Sequence, residues 1–231
     1  MRQSLHSRKR VLSQFQKTIL SLNPISYYPL DDTGNIAYDQ MNRQDLIYPS
    51  VNVLRQPSLL ASGEGSSVLF NFADPQVVGN YNFTQFSIGG ITRINGALRN
   101  RLFGVGLSIG GQRAEIECLI GSSSFASTGT QIVGHSSLVS FYNNNAVQLE
   151  VGRSYFICMT YQPSVLKIHL NGVPIINVNT AGTNNVTTAR QNTFYFGLEG
   201  GVLSSTLNLS NVFVCDYVIT QSQINNIIGL I

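Results

Sequence analysis

Tryptophan is absent from this chain, and charge is scarce: Asp, Glu, Lys and Arg together make 11% of its 231 residues, where an ordinary globular domain carries roughly a quarter. Without tryptophan the broadest aromatic platform for a sugar ring is missing. With so few charges, the surface must be kept polar by Asn, Ser, Thr, Gln and Gly, which suits a subunit packed among neighbours or an extracellular particle. Apolar runs are short too. None approaches the ~20 residues that span a bilayer, so no transmembrane segment is expected. Ser13, Gln14, Gln16 and Lys17 interrupt the first apolar stretch, which tells against a secretory leader. The basic, acid-free, Ser-containing start does fit a mitochondrial presequence, and that alternative stands beside the others.

Cysteine and histidine are equally thin. Cys118, Cys158 and Cys215 each sit among apolar neighbours and read as buried free thiols. Their odd number and wide spacing give neither a disulfide framework nor a metal set, which is consistent with assembly in a reducing cytoplasm. His6, His135 and His169 are isolated from one another and from nearby Cys or Asp, so none marks a metal or catalytic centre. Gly104 and Gly106 lie in an apolar stretch without the context of a phosphate-binding loop.

The net charge of +3 is unevenly placed. Arg2, Arg8, Lys9, Arg10 and Lys17 precede the first acid, Asp31, so the start carries +5 and the remainder, nine basic against eleven acidic residues, carries −2. Val11, Leu12, Phe15, Ile19 and Leu22 follow at spacings of three and four, predicting an amphipathic helix that Pro24 ends. Residues 1–24 thus read as a basic helical arm. Either it is a solvated helix end, or it touches an acidic partner, membrane surface or nucleic acid. Five charges without an Arg-rich repeat do not favour nucleic acid. The candidate partner-binding residues are Arg2, Arg8, Lys9, Arg10, Phe15, Lys17 and Ile19, and a chain begun at Asn23 is expected to stay folded.

The strongest local signal lies further on, between Gly152 and Ile176. Leu166, Ile168 and Leu170 alternate with Lys167 and His169, the pattern of a strand with one apolar face. Asn171-Gly172 then provides two residues that tolerate positive φ, predicting a two-residue hairpin turn into Val173–Ile176. Tyr155 to Tyr161 is apolar at nearly every position, as in a strand covered on both faces.

This apolar strand ending in Thr-Tyr, the alternating strand and the Asn-Gly-Val turn resemble the concanavalin A-like, laminin-G-like jelly-roll superfamily. Tyr27, Tyr28, Leu30, Asp31, Asp32, Gly34, Ala37 and Asp39 are similar in order to its opening stretch. Phe196-Gly197 and Asn211 to Ile224 are similar to its close. The resemblance covers residues 25–231 and implies an all-β fold, two antiparallel sheets in a jelly-roll sandwich, with an N-terminal amphipathic helix and a short C-terminal helix. The absence of tryptophan departs from the pattern near Tyr155. The lead-in, a helix followed by Pro24, Tyr27, Leu30 and Asp31, resembles laminin-G-like domains of tailed-phage structural proteins.

Two chemical possibilities are weighed against that frame. Glu115 and Glu117 lie two apart on a strand, so both carboxylates project from one face. Laminarinase-like hydrolases of the superfamily use E-x-D-x-x-E, and here Glu117 replaces the Asp while Ile120 replaces the last Glu. No enzyme and no cofactor are therefore expected. Asp39 and Asn42 are the candidate calcium ligands, oxygen donors three residues apart, or else Asx-turn residues bracing their own loop. The resemblance implies a non-enzymatic virion protein, a capsid decoration, fibre or tail component, contacting other virion proteins as a homo-oligomer. The alternative is a lectin-like adhesin for host glycans. Rim stretches 122–130 and 180–192 hold Phe125 as their single aromatic, which favours the structural role.

Overall fold

The computed structural model describes residues 12–48, 53–71, 76–78, 84–96, 100–105, 116–121, 131–136, 140–143, 147–163, 165–179, 193–196 and 206–231. The order begins with helix α1 (Gln14–Ser21), then β1 (Ser26–Tyr28), β2 (Ile36–Ala37), β3 (Leu46–Ile47), β4 (Val53–Gln56), β5 (Ser67–Asn71), β6 (Gln76–Val78), β7 (Phe86–Ile94) and β8 (Asn100–Val105). It continues with β9 (Ile116–Gly121), β10 (Gln131–Ser136), β11 (Ser140–Asn143), β12 (Ser154–Gln162), β13 (Val165–Leu170), β14 (Val173–Asn179), β15 (Thr193–Phe196), β16 (Thr206–Cys215) and helix α2 (Gln221–Ile228).

The strands pair antiparallel into an eight-stranded sheet, a six-stranded sheet and a small ribbon of β2 with β3. The larger sheet runs β14-β13-β12-β7-β16-β5-β4, and the six-stranded one runs β11-β10-β9-β8-β15-β6. Neighbours in space are often distant in sequence, as a jelly-roll sandwich requires. The expected all-β sandwich is present, and the described strands close no barrel. Ile88, Met159 and Val214 of the larger sheet share one buried cluster with Phe103, Cys118 and Phe194 of the smaller. That cluster is the layer between the sheets.

A second apolar layer covers the outer face of the larger sheet. Along β12, Tyr155, Ile157, Met159 and Tyr161 enter the inter-sheet core, while Phe156 and Cys158 point the other way. β16 divides in the same manner, Val212 and Val214 inward and Phe213 and Cys215 outward. The strand-like run that is apolar at nearly every position is thereby explained: both pleat faces are buried. Phe213 stacks on Phe156 with centroids 6.4 Å apart, and it lies so close over β7 that a Cβ on Gly89 would come within 2.6 Å of its ring.

The roof over this face consists of α1 and α2. Ser13 caps α1 by accepting from the Gln16 N–H, while Gln16 accepts in return from the Ser13 N–H, the reciprocal box of a helix start. Thr220 and Gln223 repeat it at α2. Phe15 and Ile19 of α1 with Leu22 beyond it, and Ile224 and Ile227 of α2, are buried together on Tyr27, Ile91, Phe156 and Phe213. The expectation of an arm dispensable for folding is corrected here. Its apolar stripe covers its own sheet, because the outward residues of β12 and β16 would otherwise face water.

Asn171 and Gly172 form the expected turn, with φ of 47° and 85° and Leu170 opposite Val173. Asn171 also fastens the turn to β12: its N–H donates to the Phe156 carbonyl and its side-chain oxygen accepts from the Phe156 N–H, both at 2.9 Å. Gln221 of α2 donates to the Gly172 carbonyl at 2.7 Å. The three cysteines are buried. Burial and the neighbouring cysteines push the Cys158 thiol well above its ordinary range, which keeps it protonated and inert.

Two stability measurements follow from this packing. Phe15→Ala should cost about 3 kcal/mol or more in urea unfolding, and a chain begun at Asn23 should lose its cooperative melting transition; an unchanged midpoint for both would make α1 an appendage. Gly172→Val forces a β-branched residue into positive φ beside Ile228 and should cost at least about 2 kcal/mol, read from the same denaturation curves.

Candidate functional site

Asp39 is 2% exposed and organises the loop that follows it. One carboxylate oxygen accepts the N–H groups of Tyr27 and Met41 at 2.9 and 3.0 Å; the other accepts those of Arg43 and Gln44 at 3.1 and 3.3 Å. Four donors pointing at one carboxylate make a loop brace and leave a cation no open face. Asn42 sits at φ 56° in the same turn, its N–H on the Asp39 carbonyl at 2.9 Å. Among the described residues no group of three or more His, Cys, Asp or Glu side chains could hold a metal ion.

Of the residues assigned to a partner, Phe15 and Ile19 are 2% and 0% exposed and cannot reach one. Lys17 is exposed on the opposite face of α1. Arg2, Arg8, Lys9 and Arg10 fall outside the described residues, as do Glu115 and the stretches 122–130 and 180–192. No helix among the described residues is long and apolar enough to cross a membrane.

A polar cleft of about 240 Å³ opens where the start of α1, the end of β1, the turn before β5 and the middle of β16 meet. Leu12, Ser13 and Gln16 line it from the helix start, and Pro29 and Asp31 from the end of β1. Leu60, Glu64, Gly65 and Ser66 close it from the turn, with Asn211 from the strand. Three of its boundary segments use left-handed backbone: Leu30 at φ 60°, Gly65 at 75° and Asn211 at 56°. Leucine rarely adopts this conformation. It is held because the Leu30 side chain is fully buried in the inter-sheet core, which leaves Pro29 and Asp31 on either side of it in the cleft wall.

Asn211 owes its position to an irregularity of β16. The register against β7 shifts between Ser210 and Phe213; before the shift β16 pairs with β5, after it with β1. The Asn211 N–H donates to the Pro29 carbonyl at 3.0 Å, and its side-chain oxygen accepts from the Tyr27 hydroxyl at 2.6 Å. Bulges of this kind re-aim a side chain. In the turn, the Ser58 hydroxyl donates to the Glu64 carbonyl at 2.7 Å, fixing the segment that carries Gly65. A Cβ on Gly65 would lie 3.8 Å from an Asp31 carboxylate oxygen.

Asp31, Glu64, Gln16, Ser13 and Ser66 line the cleft beside the apolar Leu12, Pro29 and Leu60. Gln16 is 6% exposed, and its oxygen accepts from the Ser13 N–H. Beside it, the Tyr48 hydroxyl donates to Asp32 at 3.0 Å, and burial first, then the Asp32 charge and this bond, raise the Tyr48 pKa far beyond its ordinary value. In the sequence Asp31 and Asn211 stand within family-like stretches, and nothing there marks Glu64, Gln16 or either of these two as a site residue. The available signals were slight: Glu64 between two glycines, and a Ser-Asn pair interrupting an apolar strand.

No protein-family pattern matches the chain, and no curated protein matches it in sequence. Solved structures do match in shape. Trypanosoma rangeli sialidase in complex with 2,3-difluorosialic acid, as its covalent intermediate, superposes with a TM-score of 0.67 at 13% identity, over 90% of this chain and 33% of that one. The same sialidase in complex with sialic acid gives 0.62 at 13%, over 88% and 32%. The receptor-binding domain of botulinum neurotoxin C/D mosaic serotype gives 0.63 at 10%, over 89% and 51%. This chain spans about a third of the length of the sialidases. The expectation that it is not an enzyme is corrected by these matches, since the fold occurs within enzyme chains. At such identity the likeness shows the fold alone, so the exclusion is withdrawn and no activity takes its place.

Asp39→Ala, which strips four N–H groups of their acceptor, should cost about 3 kcal/mol, and millimolar calcium should leave the melting midpoint of the native chain where it is. A calcium-induced rise that disappears in Asp39→Ala would make this loop a cation site.

Proposed function

We propose that the chain is a lectin-like recognition domain that binds a carbohydrate in the cleft between α1, β1, the turn before β5 and β16. The observation that carries this reading is the lining itself. Sugar recognition needs acceptors and donors side by side, because each hydroxyl does both, together with apolar groups for the C–H faces of the ring. Asp31 and Glu64 accept, Gln16 donates, and Leu12, Pro29 and Leu60 supply the apolar contacts. The held backbone at Leu30, Gly65 and Asn211 keeps these groups in place before any ligand arrives, which lowers the entropy lost on binding. Structural likeness to a sialidase seen with sialic acid and to a toxin's receptor-binding domain supports a role in glycan or receptor recognition.

The proposed setting is a virion surface. The low charge and the phage-like lead-in support it, with a homo-oligomer and other virion proteins as partners. Binding of the full chain to a glycan array, followed by calorimetry on the hits, tests the cleft. Ser66→Trp, a substitution at a half-buried cleft-wall position, should weaken the hits at least about tenfold while the melting midpoint stays within a few degrees. Hits indifferent to Ser66→Trp, or no hits, would remove the cleft from function.

A further inference from the structure

We infer that His169 is an acid-sensitive latch between the β13–β14 hairpin and α2: with a neutral ring the helix seals the outer face of the larger sheet, and protonation of the ring releases the helix. His169 does not line the cleft, so this device stands apart from the carbohydrate reading. Strand pairing sets its place. Lys167 and His169 alternate with the inward Leu166 and Ile168, and His169 stands opposite Cys158 of β12, on the face that α2 covers. There it is 5% exposed, and its Nδ1 has no hydrogen-bond partner among the described residues.

A second ring proton needs an acceptor for Nδ1–H or a carboxylate nearby, and the elements packed around the ring supply neither. On β13 the charged neighbour is Lys167, a cation. On β12 the ionisable group of this face is Cys158, whose thiol burial keeps protonated. β14, α2 and residues 229–231 carry no ionisable side chain, and Asp216, on the link into α2, interacts with Cys215. Burial first, then the Lys167 charge, hold His169 below its ordinary pKa of 6.5, and a hydrogen bond from the ring to the Gly172 backbone offsets them in part. The unfolded chain binds this proton near pH 6.5 and the folded chain only at lower pH, so the stability it contributes is complete above about 6.5 and is lost as pH falls through the folded value.

The helix is the cover that yields. Asn171 fastens the hairpin turn to Phe156 by two hydrogen bonds. By contrast, α2 is eight residues long, too short to persist alone. It meets the turn through the Gln221 bond to the Gly172 carbonyl and through Ile228 and Asn225, which lie 3.2 and 3.7 Å from where a Gly172 Cβ would stand. The bonds of the ring and of Gln221 thus converge on Gly172, and a charge on the ring acts where the helix is attached. Lifting α2 brings water to the imidazolium and uncovers Phe156 and Cys158.

The test is amide hydrogen exchange of the full chain at pH 7.5 and 5.5, corrected for the intrinsic pH dependence of exchange, in the native form and in His169→Gln. An open state that titrates near 6.5 gains up to about tenfold in population over this interval. Exchange in α2 should therefore rise about fivefold or more at pH 5.5, exchange in β7 should stay within about twofold, and His169→Gln should abolish the rise in α2. A rise in β7 equal to that in α2 would make the acid effect global and overturn the latch. A rise that persists in His169→Gln would assign it to another group, and no rise in the native chain would remove the device altogether. NMR titration of the His169 ring in the native chain gives a reading that does not depend on the variant folding. Its midpoint should lie below 6.5, and a midpoint at or above that value would overturn the inference.

Discussion

A sheet whose central strands are apolar on both faces has to be covered twice, and the architecture of this protein answers to that constraint. The inner face of the larger sheet is met by the six-stranded sheet, and the outer face, with Phe156, Phe213, Cys158 and Cys215, is met by α1 and α2. Each of the two short helices is eight residues long, too short to be stable alone in water. Docking on the sheet is what sustains them, and their capping boxes satisfy the N–H groups at their starts. The helix at the beginning and the helix at the end of the chain are therefore parts of one apolar layer.

β16 carries the second consequence. It is the hub of the larger sheet, flanked by β7 along one edge and by β5 and then β1 along the other. Passing from one partner to the next requires a break, and the break is the bulge at Asn211. The cleft forms at this seam, where the end of β1 and the turn before β5 come together without a ladder between them. α1 then closes the remaining side because its docking on the outer face brings its capped start to the same place.

Similar folds in sialidases and a toxin receptor-binding domain show how widely this sandwich is used, and a shared fold does not specify a ligand. The seam of this chain is lined by Asp31 and Glu64, by Gln16 held in a helix cap, and by Leu12, Pro29 and Leu60. Tyr38, just after β2, and Ile47 of β3 are exposed at 46% and 73%, on either side of the loop that Asp39 braces.

The sequence by itself determined the features that depend on neighbours along the chain. Alternation gave β13 its two faces, Asn171-Gly172 fixed the hairpin because both residues accept positive φ, and a run apolar at nearly every position marked β12 as buried on both sides. The three and four spacing of Phe15, Ile19 and Leu22 showed a helix with an apolar stripe, and Asp39 was legible as a turn residue as well as a metal candidate. Where that stripe is buried was not legible, since a helix face carries no record of which surface covers it; the apolar outward residues of the larger sheet decided it. The cleft was hidden for the same reason. Gln16, Asp31, Glu64 and Asn211 lie up to 195 positions apart, and only the pairing of β16 with β5 and β1 brings their backbones together, because strand partnership is a long-range choice that no local pattern encodes.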